Sequence, residues 1–231
     1  MSMVSGKRGQ RIKTTSAWIV EELRREIVSR RIAAGDRLTV SEIATRYDVS
    51  GAPVREAMVQ LASEGYIDMQ ANRGAVARVF GPTELRNIFS VREAFESHQT
   101  RRFAAVARPE DLDRLEQLAH EFETLVKTGD ARRSSQVNIK FHDVMIRHDG
   151  NAEIAAILDR HRGVAMMMRH DFGRSDLRAE QAAQEHFTIL AALRAGDADA
   201  AAAASGSHVR GTLDDILELY AQAQRNKGVG A

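Results

Sequence analysis

Residues 39–78 constrain the fold of this chain more than any other stretch. Their sequence, TVSEIATRYDVSGAPVREAMVQLASEGYIDMQANRGAVAR, predicts two short helices, a tight turn between them, and a two-stranded ribbon. Thr39 and Glu42 have the spacing of a capping box, which satisfies free N–H groups at a helix start. Ile43 and Ala44 give this helix an apolar side. Asp48-Val49-Ser50 makes the turn, and Ser50 is placed to cap the second helix. Pro53 falls in that helix's first turn, where a missing N–H costs little. Val54, Met58 and Leu61 recur at helical spacing and face the first helix, which turns Arg55 and Gln60 outward. Gly65 ends the helix. Asn72-Arg73-Gly74 then reads as the turn between the ribbon strands at 66–69 and 75–79.

That order of elements is a winged helix-turn-helix. A helix presented in this way fits the major groove of DNA. Its start offers free N–H groups and the Ser50 hydroxyl to a phosphate. Arg55, one turn inside, reaches a guanine edge or a phosphate, and Arg73 at the ribbon tip suits the minor groove. The surface expected against DNA comprises Thr39, Ser41, Arg46, Ser50, Gly51, Ala52, Arg55, Asn72 and Arg73. The competing reading is a helical hairpin used for protein contacts, with Arg55 merely solvated.

The rest of the chain predicts helices. With 231 residues there is room for two small domains or one large one. Scarce aromatics (5%), abundant alanine and only three prolines point to a mostly α fold. Residues 14–31 read as a helix with Ala17, Val20, Leu23, Ile27 and Val28 as its apolar stripe. Gly81-Pro82 marks a boundary, giving a DNA-binding domain over 1–80 and a helical domain over 81–231. In the second domain the punctuation marks six helices: 82–107, 109–128, 130–148, 151–170, 175–195 and 196–224. Asp130, Asn151 and Ser175 stand at cap positions. Six helices joined by short loops make an antiparallel bundle. Met166-Met167-Met168 reads as core or dimer packing, and the mixed charges of 108–123 as a solvated face.

Charge and composition exclude several classes. The net charge is only +1, so the whole chain is not a polyanion binder, yet Lys7, Arg8, Arg11, Lys13, Arg24, Arg25, Arg30, Arg31 and Arg37 make the N-terminal part basic. There is no cysteine, hence no disulfide framework and no thiolate metal site. No apolar run has membrane-spanning length and no signal-peptide pattern is present, so the cytoplasm is the expected location.

Three bundle helices carry a histidine where the pattern predicts core. Asn138, Phe141, His142 and Met145 fall at i, i+3, i+4 and i+7, so Asn138 and His142 share an apolar face. His186 lies with Ile189, Leu190 and Leu193, and His208 with Ala201, Ala204 and Ser205. Three neutral imidazoles pointing into one bundle can hold a divalent metal, and Asn138 can add a carbonyl oxygen. The bland alternative is hydrogen-bonded core histidines. In the first bundle helix Leu85, Ile88, Phe89, Arg92, Phe95, Glu96 and Gln99 follow one stripe, so Arg92 faces inward. A buried guanidinium needs a partner, which is either Glu96 one turn on or the carboxylate of a ligand. No Glu or Asp stands out beside the histidines as a general base.

The N-terminal third resembles the DNA-binding domain of the GntR family of bacterial transcription regulators. The matching residues are 32–38 (IAAGDRL), Val49-Ser50, 53–57 (PVREA), Leu61, Glu64-Gly65 and 72–75 (NRGA). Members usually carry Arg or Lys after the serine. Gly51 stands there instead, which leaves more of the base readout to Arg55. Residues 82–220 resemble the FCD effector domain of the FadR subfamily, whose pattern is Asp-x-x-x-His, then two further histidines on separate helices. Here it reads Asn138 to His142, then His186, then His208. Asn138 in place of Asp removes one negative charge from the ligand set. Six helices rather than seven match the VanR-like branch. The resemblance implies that Arg92, with Glu96, meets the effector.

The combined expectation is a ligand-responsive transcription regulator, not an enzyme. It binds operator DNA as a homodimer and senses a small organic acid beside a divalent metal, zinc first, with nickel or manganese as alternatives. Ligand binding favours one of two states and releases repression. Two rivals are a metal-dependent hydrolase with a DNA-binding appendage and an architectural DNA-binding protein whose bundle only dimerises.

Overall fold

A computed structural model describes residues 14–28, 31–71 and 73–228. Asn72, the basic residues Lys7, Arg8, Arg11, Lys13 and Arg30, and the Val28 side chain lie outside the described residues. The described residues form two compact units that divide between Val79 and Phe80.

The first unit runs α1 (Thr15–Val28), β1 (Arg37–Leu38), α2 (Val40–Tyr47), α3 (Gly51–Ser63), β2 (Ile67–Gln70) and β3 (Gly74–Ala77). α1 packs on α3, and α2 crosses α3. Ile19, Leu23, Ile27, Ile43, Val54, Met58 and Leu61 fill the space between them. Each such side chain contributes about 1.5–3 kcal/mol by leaving water. Within the predicted α1 stripe, Val20, Leu23 and Ile27 are buried; Ile19 joins them, and Ala17 is only half-buried.

Thr39 caps α2 by accepting the Glu42 N–H at 3.3 Å. Asp48 ends α2 in the left-handed region (φ 51°), and its own N–H and that of Val49 donate back to the Thr45 and Ala44 carbonyls. Asp tolerates this conformation because its short polar side chain bonds locally.

Two local expectations are corrected. Ser50 occupies the N-cap position of α3 but makes no side-chain cap bond. The ribbon is also three-stranded, in the order β1-β3-β2, both pairs antiparallel. β1 has only two residues, too few to show alternation. It pairs Arg37 with Val76 and Leu38 with Ala75. This close approach explains Gly74: its φ is +85°, and a Cβ there would lie 2.2 Å from the Leu38 carbonyl oxygen.

The second unit is six described helices: α4 (Pro82–Ala104), α5 (Pro109–Lys127), α6 (Ala131–Ile146), α7 (Ala152–Phe172), α8 (Asp176–Arg194) and α9 (Ala198–Gly228). Caps set their starts. Asp130 accepts from Arg133 N–H at 3.0 Å, Asn151 from Ile154 N–H at 3.1 Å, and Ser175 from Arg178 N–H at 3.1 Å. α4 lies along α9, α8 packs on α9, and α5 packs on α6 and α8. Phe103, Phe122 and Phe141 anchor the core between these helices. Met167 and Met168 are buried, while Met166 is half exposed. Among the described residues no helix is long and apolar enough to cross a membrane.

Candidate functional site

The core of the second unit is polar at its centre. His142 comes from α6, His186 from α8 and His208 from α9, and all three are buried (4%, 0% and 4% exposed). Their ligand atoms lie within 4.8 Å of one another. The Nε2 atoms of His142 and His208 face each other at 3.1 Å.

One of the rings is hydrogen-bonded from behind by a carboxylate, and a second has a carboxylate nearby. His208 Nδ1 lies 2.7 Å from Glu185 Oε2, and Arg178 holds that carboxylate with bonds of 2.8 and 2.7 Å. A donated Nδ1–H to Glu185 leaves the Nε2 lone pair free and turned inward, as in metal-ligating histidines. His142 Nδ1 faces Glu96 Oε2 at 3.6 Å, and the other Glu96 oxygen accepts from Arg92 Nε at 2.9 Å. Both carboxylates are bonded to arginines and lie behind the rings, and the sequence pattern did not place them beside the histidines. Glu96 arrives from α4. Glu185 neighbours His186 in the chain, yet the helix turns it towards His208.

His186 differs from the other two. Its ring stacks on Phe141 (centroids 4.1 Å, 16° between planes), and both its nitrogens are buried with no hydrogen-bond partner. Such a group costs about 1–3 kcal/mol. A bound cation would take the lone pair of one of these nitrogens.

Electrostatics keep the cluster neutral and ready to donate lone pairs. Burial, then the neighbouring histidine charges, pushes His142 and His186 well below the usual imidazole range. Burial also lowers His208, against the pull of Glu185. Burial would raise Glu185, but bonds from His208 and Arg178 outweigh it and bring the carboxyl to about 2.

The donor set fits a divalent metal. Two nitrogens bound to one ion at about 2.0–2.1 Å stand roughly 3–3.4 Å apart, which brackets the 3.1 Å between His142 and His208. The widest separation of 4.8 Å exceeds that span, so a ring must close in as the ion binds. Asn138, one turn before His142 on α6, is half-buried and lines the adjoining cavity. Its amide takes part in none of the hydrogen bonds around the histidines.

That cavity measures about 780 Å3, and Arg92, Asn138 and His208 are among its lining. Arg92 is paired with Glu96 and also faces the cavity, so both roles expected of it are open to the same side chain. Five further arginines on its wall were not anticipated: Arg132, Arg162, Arg169, Arg174 and Arg178. A signal for two of them was present, because Arg162, Ala165, Met166 and Arg169 fall at i, i+3, i+4 and i+7.

On the first unit, Arg55 is exposed on α3, and its guanidinium nitrogens lie 3.6 and 3.7 Å from where a Gly51 Cβ would stand. Ser41, Ser50, Ala52 and Arg73 are exposed. Thr39 is half-buried and spends its hydroxyl on Glu42. Arg46 is ion-paired with Glu26 at 2.8 Å, so its charge is partly committed within the unit. The Arg73 carbonyl accepts from Arg37 Nε at 3.1 Å, which ties the ribbon tip to β1.

A DNA-binding winged helix followed by a helical ligand-binding unit defines a one-component transcription regulator. The comparisons agree. Residues 15–76 match the bacterial regulatory proteins of the gntR family, and residues 87–211 match the FCD domain. The chain therefore belongs to the GntR family of transcription regulators, in the group that carries an FCD domain. It is similar to the HTH-type transcriptional repressor RspR of Escherichia coli, at 28% identity over 204 residues, 85% of this chain and 86% of that one. It is also similar to a probable D-xylose utilization operon transcriptional repressor of Paenarthrobacter nicotinovorans, at 28% over 209 residues, 89% and 88% of the two chains. The solved structure of E. coli McbR/YncC shares the fold, with a TM-score of 0.69 at 19% identity, covering 92% of this chain and all of that one. The matched families and relatives are regulators rather than enzymes, which removes the hydrolase reading.

Proposed function

We propose that this regulator is a repressor whose C-terminal unit holds a divalent metal ion on His142, His186 and His208, with Asn138 as a further oxygen donor. A small organic acid binds beside the ion and Arg92. The observation that carries this reading is His186: fully buried, unpaired at both nitrogens, and grouped with His208, held from behind by Glu185, and His142, which has Glu96 3.6 Å from its Nδ1. When bound, zinc, nickel or manganese would supply open positions for carboxylate or hydroxyl oxygens. Glu185 orients the His208 ring, Glu96 stands beside His142, and Arg92 takes an anionic oxygen that the ion does not.

The first unit binds operator DNA in the cytoplasm as half of a homodimer, with α3 in the major groove, Arg55 reading bases and Arg73 at the minor groove. Ser50 and Gly51 at the start of α3 approach the backbone, with Thr39, Ser41 and Ala52 around them, and Asn72 is kept from the sequence as a further DNA contact. A ligand that binds one of two states better changes DNA affinity by linkage, and release of repression is the expected sign.

Elemental analysis tests the metal centre on protein purified without a metal column. Wild type should hold one metal per chain and His142→Ala should hold none. Absence of metal in both, even after incubation with zinc and nickel, overturns the metal centre.

A further inference from the structure

The charges around the effector cavity are unequally satisfied. Arg92 is neutralised by Glu96, Arg162 by Asp143 at 3.0 Å, Arg169 by Asp215, and Arg178 by Glu185. Two arginines on the wall have no such partner among the described residues: Arg132, which is exposed, and Arg174. Arg174 sits in the α7–α8 connection, half-buried, and lines the cavity. Among the described residues no carboxylate lies within ion-pair distance of it. Its Nη2 donates to Ser134 Oγ at 3.2 Å, and its guanidinium faces the Phe122 ring at 5.7 Å. The nearby Asp215 already accepts from Arg169 and from Ser175. Burial and the Arg178 charge both work against the Arg174 cation, and Asp215 and Asp176 only partly relieve it. A half-buried guanidinium left in this state is a receptor for an anion.

Its position supplies a length. Ser134, Asn138 and His142 follow one another every four residues along α6, so Ser134 and His142 are separated by about 12 Å along the axis. Arg174 is anchored at the Ser134 end, and the histidines and Arg92 stand at the other. Between these ends stands the Phe122 ring, 5.7 Å from the Arg174 guanidinium and 4.7 Å from the His186 ring, so the guanidinium lies within about 10 Å of that histidine and an effector with an anionic group at each end can span the gap.

We propose that Arg174 is the far-end anion receptor of this cavity, and that the effector carries two anionic groups. One binds at the histidine end, and the second, a carboxylate or a phosphate, binds at Arg174. This deepens the preceding reading of the cavity and rests on it. The second anionic group is what separates the effector from simple monocarboxylates, because desolvating an unpaired guanidinium against a neutral hydroxymethyl end gains nothing.

Three probes share a six-carbon hydroxylated chain and differ at the far end: gluconate (neutral), glucarate (carboxylate) and gluconate 6-phosphate. Calorimetric titration of the full-length, metal-bearing protein should show glucarate or gluconate 6-phosphate binding roughly tenfold or more tighter than gluconate. Which of the two is tighter identifies the second group. Arg174→Gln should bring all three to within about twofold of one another, with gluconate unchanged, and Arg174→Lys should restore part of the preference.

Equal binding of the three probes by wild type overturns the proposal, as does no binding at millimolar concentration. Equal weakening of all three in Arg174→Gln also overturns it, because that result marks a structural role. The metal content of the same samples keeps the two readings apart. Metal present without a far-end preference sinks the Arg174 receptor alone, and metal absent sinks the metal centre.

Discussion

The two units bury opposite kinds of interior. In the first, the buried side chains are apolar, and the polar residues proposed to meet DNA, Arg55 and Arg73, stand on the outside. In the second, the buried set includes Glu96, Gln99, Thr100, Ser134, His142, Arg178, His186, Ser205, His208 and Asp215. Every buried polar or charged residue among the described ones belongs to this unit. Burying such groups is costly unless they are paired, so this core is not optimised for stability. One unit keeps its chemistry on its rim and its core for folding; the other keeps its chemistry inside.

Three substitutions break or sharpen that contrast, taken from the largest effect down. Leu61 in the first unit is fully buried, so Leu61→Ala should destabilise that unit by about 2–5 kcal/mol in urea unfolding. DNA binding should fail while metal content stays as in wild type; loss of both together would contradict a division of tasks. Arg55→Ala acts on the rim and should leave the melting temperature alone. It should cost about 1–3 kcal/mol of specific operator affinity, roughly ten- to a hundredfold. Undiminished specific binding would remove Arg55 from the recognition surface.

The third substitution lies in the polar core and has the opposite sign on stability. His186→Leu removes two unpaired buried nitrogens, so the metal-free protein should be as stable as wild type or up to about 1 kcal/mol more stable, while metal retention is abolished. pH sharpens the same point. His142 and His186 stay neutral in the folded chain but take protons once unfolded. Metal-free stability is therefore fully present above the unfolded value of about 6.5 and declines as pH falls below it. Glu185, held at about 2, adds a further loss as pH drops below about 4.3. Thermal melts of metal-free protein between pH 7.5 and 5 should show a shallower decline in His186→Leu than in wild type. Identical slopes would mean that His186 is not a buried neutral group.

The contrast also explains what could be read in advance. Helix starts at Asp130, Asn151 and Ser175 were legible because capping is local: an oxygen meets an N–H three residues on. The grouping of His142, His186 and His208 was legible because each sits on an otherwise apolar face. β1 was not, since two residues carry no period, and its pairing with β3 is set by chain returning from nearly forty residues away. Ser50 has a capping residue's identity without its bond. Arg174 lies in the α7–α8 connection and Arg178 in the first turn of α8, where sequence alone suggests solvated ends. Only the meeting of α7, α8 and α9 turns them towards a cavity.

The bare start of α3 bears on how such a regulator changes over generations. A side chain at position 51 would begin 3.1 Å from Val40 Cγ1 and within 4 Å of the Arg55 guanidinium. An Arg or Lys introduced at position 51 would press on the Val40 methyl by a few tenths of an ångström and stand in ordinary contact with Arg55. Operator preference at this position is thus coupled to side chains on two helices, Val40 on α2 and Arg55 on α3.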